Sequence, residues 1–391
     1  VNQRGYLDLE SIPASIADFL RRRPYCALYK VPGRVNLIGE HTDYNEGWVL
    51  PMASSQHLLF GVEPSALPQW AVTSGRFRET IALPIEDSIL SLDHWSRYFA
   101  AVLHTAAAHQ LPVSGFEIVF DGDLPHGAGL SSSSAITCAL LYILNDQCKW
   151  GKSLLELTHL AVESEYRTGV MGGMMDQFTI FHARENEAIL LDCRHLTYQE
   201  IALKPSLWCW IVLDSGVAHE LRNTAYNERR QTCKRVVNRA KSVGIEIDSL
   251  RDLSLTDLKT LKHHLTPEEH KRARYVLMEN QRVHSMVLAL QEANFIKAGQ
   301  ILSESHLGLK EEYEVSELSL DFIVDQLQGM EGVAGARMIG GGFGGCVLGL
   351  VHRDQVNHVV VSLNKKFHGA FGRSVPWHIT SPSSGIRLIE K

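Results

Sequence analysis

Five side chains able to grip a polyol or a phosphate fall within eleven positions: Arg34, Glu40, His41, Asp43 and Tyr44. Carboxylates set beside a histidine suit a sugar, whose hydroxyls both donate and accept hydrogen bonds. The same charges also fit a surface loop laced with ion pairs. Val35, Leu37 and Ile38 interleave with them, however, and apolar neighbours bury a loop and oblige its charges to find partners. A second concentration is Leu124-Pro-His-Gly-Ala-Gly-Leu-Ser-Ser-Ser-Ser-Ala135. Its glycines let the backbone approach a bulky anion, and its serines add donors. No Gly-Lys-Ser/Thr follows the glycines and no G-x-G-x-x-G occurs here, so it is neither a Walker loop nor a dinucleotide fingerprint. A serine-rich turn before a capped helix is the alternative.

The elements around these residues can be read from periodicity. Residues 115–120 alternate as a strand and 135–144 form a largely buried helix. Strand, Gly/Ser loop and helix N-terminus make a phosphate cradle, because the first turn leaves its N–H groups unpaired at the positive end of the dipole. Residues 8–22 predict an amphipathic helix with Ile12, Ile16, Phe19 and Leu20 on one side. Further helices are predicted over 95–103 and 153–168, and a strand end at 71–74. Asp176 reads by itself as the N-cap of a helix beginning at Gln177. The strand 208–214 opens the second half, which puts a domain boundary near residue 200. Helical periodicity dominates 225–243, 267–294 and 296–306, and a strand–helix–strand alternation over 345–352, 356–367 and 375–379 suits an α+β, ferredoxin-like domain.

The 391 residues suffice for two domains, and 45% hydrophobic content for ordinary cores. A net charge of −6 gives no support to nucleic-acid or anionic-membrane binding. Seven cysteines, an odd number without a C-x-x-C pair, speak against a disulfide framework or zinc site. With no signal-like apolar segment and no run long enough to span a bilayer, the chain reads as cytoplasmic, a monomer or weak dimer. It begins at Val1, not Met, which reads as a start with a few residues trimmed or left out.

Gly33-Arg-Val-Asn-Leu-Ile-Gly-Glu-His-Thr-Asp-Tyr-Asn45 resembles the galactokinase signature, and Pro125-x-Gly-x-Gly-Leu-Ser-Ser-Ser133 resembles the phosphate loop of the wider GHMP small-molecule kinases. Gly340-Gly-Gly-Phe-Gly-Gly-Cys346 is similar to the third motif of that superfamily. The resemblance implies two domains with the active site in their cleft. The first, residues 1–200, is expected to resemble ribosomal protein S5 domain 2, and the second, 201–391, to be ferredoxin-like. It implies phosphorylation of the anomeric hydroxyl of D-galactose by ATP with Mg2+, and as alternatives an N-acetylgalactosamine 1-kinase or an inactive sugar and ATP sensor.

Position by position, the resemblance makes Asp176 the catalytic carboxylate and Arg34 its partner. Glu40, His41, Thr42, Asp43, Gly173 and Tyr226 would meet the sugar. Gly127, Ala128, Gly129, Leu130, Ser131, Ser132 and Ser133 would cradle the nucleotide phosphates, with Ser74 and Trp95 toward the rest of the nucleotide; an isolated Trp is as readily a core residue. Ser133 and a glutamate would hold the metal. Most galactokinases place that glutamate twelve residues before the aspartate, which is Ser164 here; Glu165 lies eleven before it, as in the N-acetylgalactosamine kinase branch, and is preferred to Glu163. The run Ser131 to Ser134 and the Gly172-Gly173 pair are also similar to that branch, whereas Thr42 and Asn45 follow the galactokinase form.

Overall fold

A computed structural model describes residues 10–23, 25–86, 94–127, 129–204, 206–217 and 222–390. Its strands are β1 (Ala27–Asn36), β2 (Trp48–Val49), β3 (Pro51–Ser65), β4 (Gln69–Ser74), β5 (Glu79–Pro84), β6 (Gly115–Gly122), β7 (Glu187–Asp192), β8 (Thr197–Ala202), β9 (Trp208–Asp214), β10 (Val333–Ile339), β11 (Cys346–His352), β12 (Trp377–Thr380) and β13 (Arg387–Glu390). Its helices are α1 (Ala14–Arg22), α2 (Arg97–Ala108), α3 (Ser132–Gln147), α4 (Leu154–Arg167), α5 (Met175–His182), α6 (Arg222–Ser242), α7 (Leu255–Thr260), α8 (Pro267–Gln291), α9 (Phe295–Glu311), α10 (Leu318–Gln328) and α11 (Val356–Phe371).

β1 carries Arg34, the first of the polar residues, yet it is buried almost throughout, because it lies inside a six-stranded sheet of order β13-β1-β3-β6-β4-β5. The pleat sorts its residues: Leu28, with Leu59 and Val119, meets Ile16 of α1 on one face, and Tyr29, with Phe60 and Phe120, meets the main core on the other. Ile12, Phe19 and Leu20 pack on the α1 side as their spacing predicts; residues 8 and 9 of that expected helix lie outside the described residues. Pro32 has no N–H for the ladder, and the register of β1 on β3 slips between Pro32 and Arg34. A bulge of this kind re-aims the side chain that follows it. The core face is covered by helices including α3, which is buried over most of its length; α4, which packs on α2, α3 and α5, opens on a Ser153/Glu156 capping box.

The second half forms a four-stranded antiparallel sheet of order β10-β11-β9-β12. With α6 to α10 between β9 and β10, and α11 between β11 and β12, this is the βαββαβ arrangement of a ferredoxin-like domain with an enlarged first crossover. β10, unexpected from the sequence, supplies its second strand. The expected split at residue 200 does not hold for the end of the chain: β13 returns to pair with β1, and Ser383 N donates to Ala53 O at 3.0 Å. Four residues are too short to announce a strand by pattern. None of the seven cysteines is in a disulfide, and among the described residues no helix is long and apolar enough to cross a membrane.

Candidate active site

A cavity of about 280 Å³ opens where the end of β1, the loop after it, the Gly/Ser loop, the start of α5 and the third glycine motif converge. Arg34 grips Asp176 with a parallel fork, Nε to Oδ1 at 2.7 Å and Nη2 to Oδ2 at 2.8 Å. Such bidentate pairs fix geometry as well as charge. Asp176 is not the helix cap its sequence context suggests. It lies in the first turn of α5, whose N-cap is Met174 and has no side-chain cap bond. Its side chain is turned instead to Arg34 and to Ser131, whose hydroxyl donates to Oδ2. Ser131, expected on the phosphates, thus reaches the carboxylate from a left-handed backbone conformation (φ 56°) at the N-cap of α3.

Glu40, His41, Asp43 and Tyr226 line the same cavity, as do Gly172 and Gly173. A Cβ on Gly173 would stand 2.1 Å from Asp43 Oδ2, so only glycine lets this carboxylate come so close. Burial, with Asp176 nearby, raises Asp43 to about 6 against the pull of the Tyr44 N–H it accepts. His41 has φ 63° and places Nδ1 2.8 Å from the hydroxyl of Tyr44, itself 2.7 Å from that of Tyr313. Burial holds the hydroxyls of Tyr44, Tyr226 and Tyr313 well above their usual range, so this group of rings is neutral. Glu40 bonds to Arg337 Nη2 and to Gly340 N–H. Thr42 does not reach the cavity: it is fully buried, and its hydroxyl lies 2.7 Å from both Gly39 O and Trp48 O, tying the loop to itself.

Gly127 and Gly129 both have φ 73°, and with Ser131, Ser132 and Ser133 they line the cavity. Ala128 lies outside the described residues. Leu130 turns its side chain into the core, while its carbonyl accepts Arg34 N–H at 3.1 Å and ties the Gly/Ser loop to β1. A Cβ on Gly129 would meet Ile339 O at 3.3 Å, so the third motif packs directly on this loop. Ser74 is fully buried and accepts Phe77 N–H at 3.3 Å, away from the cavity. Trp95 is also set back: it stacks on Phe77 with ring centroids 6.3 Å apart and donates to Glu79 at 3.0 Å. Phe77 meets His126, a cavity residue, edge-on. Arg97 and Tyr98, which no motif marked, stand on the cavity wall.

The helix α4 separates the two candidate glutamates. Glu165 faces the cavity, where burial raises its carboxyl to about 7 and Oε1 has no hydrogen-bond partner among the described residues. Glu163 faces a different surface and is engaged by His109 at 2.7 Å and Arg167 at 2.8 Å. Ser164 is fully buried; its hydroxyl donates to Leu160 O at 2.8 Å and lies 2.9 Å from Thr105 Oγ1.

Models of protein families match both halves: GHMP kinases N terminal domain over residues 97–184 and GHMP kinases C terminal over 286–369. Fold and site together define a GHMP kinase. The Methanococcus jannaschii mevalonate kinase shares that fold at TM-score 0.67 and 16% identity, covering 93% of this chain and 100% of the other. A further model, the galactokinase galactose-binding signature, matches residues 17–64. The Thermotoga maritima galactokinase is 38% identical over 361 residues, 92% of this chain and 99% of the relative, and the Roseiflexus one is 35% identical over 362 residues, 92% of each. The structure of Lactococcus lactis galactokinase complexed with galactose superposes at TM-score 0.90 and 28% identity, covering 97% of this chain and 99% of the other. The chain belongs to the galactokinase family.

Proposed function

We propose that this enzyme transfers the terminal phosphoryl group of ATP to the anomeric hydroxyl of D-galactose, giving galactose 1-phosphate and ADP. The observation that carries the reading is the Arg34–Asp176 fork, set between the signature loop and the Gly/Ser loop. Phosphoryl transfer leaves little covalent chemistry to the protein; it needs an aligned nucleophile and stabilised charge. Asp176 would orient the C1 hydroxyl and accept its proton. Arg34, always cationic, holds that carboxylate in place and faces the charge spreading over the transferred group. Ser131 steadies the second carboxylate oxygen, and the backbone N–H groups around Gly129 to Ser133 cradle the phosphates. Glu40, His41, Asp43 and Tyr226 would hold the sugar.

The residues present fit a magnesium ion. Glu165 offers a buried oxygen without a partner among the described residues, and Ser133 lines the same cavity. Among the described residues no group of three or more His, Cys, Asp or Glu is placed to hold a metal, which suits an ion that completes its shell with phosphate oxygens and water. When bound, it neutralises phosphate charge.

A second reading, tolerance of a 2-substituted galactose such as N-acetylgalactosamine, is favoured by one observation. Among the described residues a Cβ on Gly172 would meet nothing nearer than the Tyr226 hydroxyl at 4.0 Å, which leaves space at that wall. The paired Arg34 and Asp176 speak against an inactive sensor. ADP release coupled to galactose, with proton-coupled phosphorus NMR of the product, tests the assignment. A phosphate on C1 is expected; ATP turnover without it, or phosphate on another carbon, contradicts the proposal.

A further inference from the structure

Arg337 lies in β10 with no exposed surface. Its guanidinium reaches out of the C-terminal sheet: Nε donates to Leu37 O at 3.0 Å, and Nη2 to Asn36 O at 2.6 Å and to Glu40 Oε1 at 3.1 Å. Nη1 donates to Met338 O at 3.2 Å. The same Glu40 oxygen accepts Gly340 N–H at 2.9 Å, and the Tyr275 hydroxyl donates to Glu40 O at 3.0 Å. Side chain and backbone of Glu40 are thus both held by the C-terminal half of the chain.

Stability alone is a poor account of this arrangement. Replacing a buried ion pair by apolar residues of similar volume is often neutral or stabilising. What the pair supplies is orientation. Both hydrogen bonds on the Glu40 carboxylate fall on Oε1, and Glu40 lines the cavity, so Oε2 is the oxygen presented to a ligand. Arg337 does not line the cavity itself. We infer that Arg337 is a positioning residue for sugar recognition, which acts through Glu40 by fixing the direction in which its second carboxylate oxygen meets a hydroxyl of the bound hexose. The inference rests on the proposed reading of Glu40 as a sugar contact. The same guanidinium is itself anchored by the carbonyls of residues 36 and 37, which hold it in place against Glu40.

The test compares the wild type with Glu40→Gln, Arg337→Met and the double variant, using galactose and its 2-, 3-, 4- and 6-deoxy analogues. A site built to hydrogen-bond a hydroxyl rejects the analogue lacking it strongly. Arg337→Met is expected to raise KM for galactose about tenfold or more while KM for ATP stays within about threefold, and to erase much of the discrimination against one deoxy sugar. Glu40→Gln should lose discrimination against that same sugar. Adding Arg337→Met to Glu40→Gln should change the galactose KM by less than about threefold, because residues acting as a unit are not additive. Unchanged discrimination in Arg337→Met, with Glu40→Gln effective, overturns the inference alone. No effect of Glu40→Gln on any deoxy sugar means the reading of Glu40 has failed and the inference with it. If Arg337→Met yields no folded enzyme, the double variant, which leaves no unpaired buried charge, decides: a further tenfold loss of galactose affinity beyond Glu40→Gln shows that Arg337 does not act through Glu40.

Discussion

Asp43 offers a prediction in which stability and function pull in opposite directions. Burial and the neighbouring Asp176 raise its carboxyl from 3.8 to about 6 in the folded protein. The sign follows from proton binding. Between those two values the folded state holds more protons at Asp43 than the unfolded chain does, so stability falls as pH rises through that window, and the full penalty is present above it. A difference from 3.8 to about 6 corresponds to roughly 3 kcal/mol. Asp43→Asn keeps the shape, and its amide oxygen can still accept the Tyr44 N–H at 2.9 Å, but it carries no charge. The variant should therefore be the more stable protein at pH 8, by up to roughly 3 kcal/mol, with about half of that gain left at pH 5. For a chain of this size the gain at pH 8 corresponds to a Tm rise of roughly 4 °C. It should at the same time bind galactose more weakly, having lost an anionic acceptor in the sugar wall. Calorimetric scans of both proteins from pH 5 to pH 8 make the comparison. A Tm difference that does not grow with pH, or a variant less stable at pH 8, would refute the account of Asp43.

Three other outcomes are expected. Asp176→Asn should lower turnover by about 10²–10⁴ while sugar binding changes much less; near-normal turnover would remove Asp176 from the reaction. Glu165→Gln should raise the magnesium concentration for half-maximal rate by about tenfold or more, and Glu163→Gln should leave it unchanged, since the two point to different faces of α4; magnesium titrations of the two variants with the reverse pattern would show that Glu163 is the ligand. Gly173→Ala puts a Cβ where Asp43 Oδ2 stands, so the carboxylate must move, and KM for galactose should rise by roughly 10²-fold with KM for ATP little changed; equal effects on both substrates would point to general disruption.

What the sequence disclosed follows from how local each signal is. The signature loop, the Gly/Ser loop and the third glycine motif are contiguous, so their residue types and spacing survive without knowledge of the fold. Helices such as α3 and α4 were legible because a run of apolar residues at helical length is written within one stretch. Partners across the chain were not. Ser131 reaches Asp176 across 45 positions and Arg337 reaches Glu40 across 297, and neither link leaves a local pattern. A lone arginine in the apolar run of β10 was the one available sign of a buried, paired charge. Thr42, Ser74 and Leu130 sit inside or beside motifs, yet their side chains serve the loops and core; a motif fixes which backbone is near the site, not which side chains face it. Trp95 proved to be packed behind the wall in an aromatic cluster with Phe77, Phe99 and Phe120.

The central claim is a sugar wall built for galactose beside a phosphoryl-transfer fork, and substrate choice tests it most directly. Measuring kcat/KM with ATP for galactose, N-acetylgalactosamine and glucose should rank galactose first. The 2-acetamido sugar should follow, admitted by the space at Gly172, with glucose far behind because its inverted C4 hydroxyl strands buried partners. If N-acetylgalactosamine exceeds galactose by tenfold or more, about 1.4 kcal/mol on the transition-state scale, or if glucose matches galactose, the proposed assignment is contradicted.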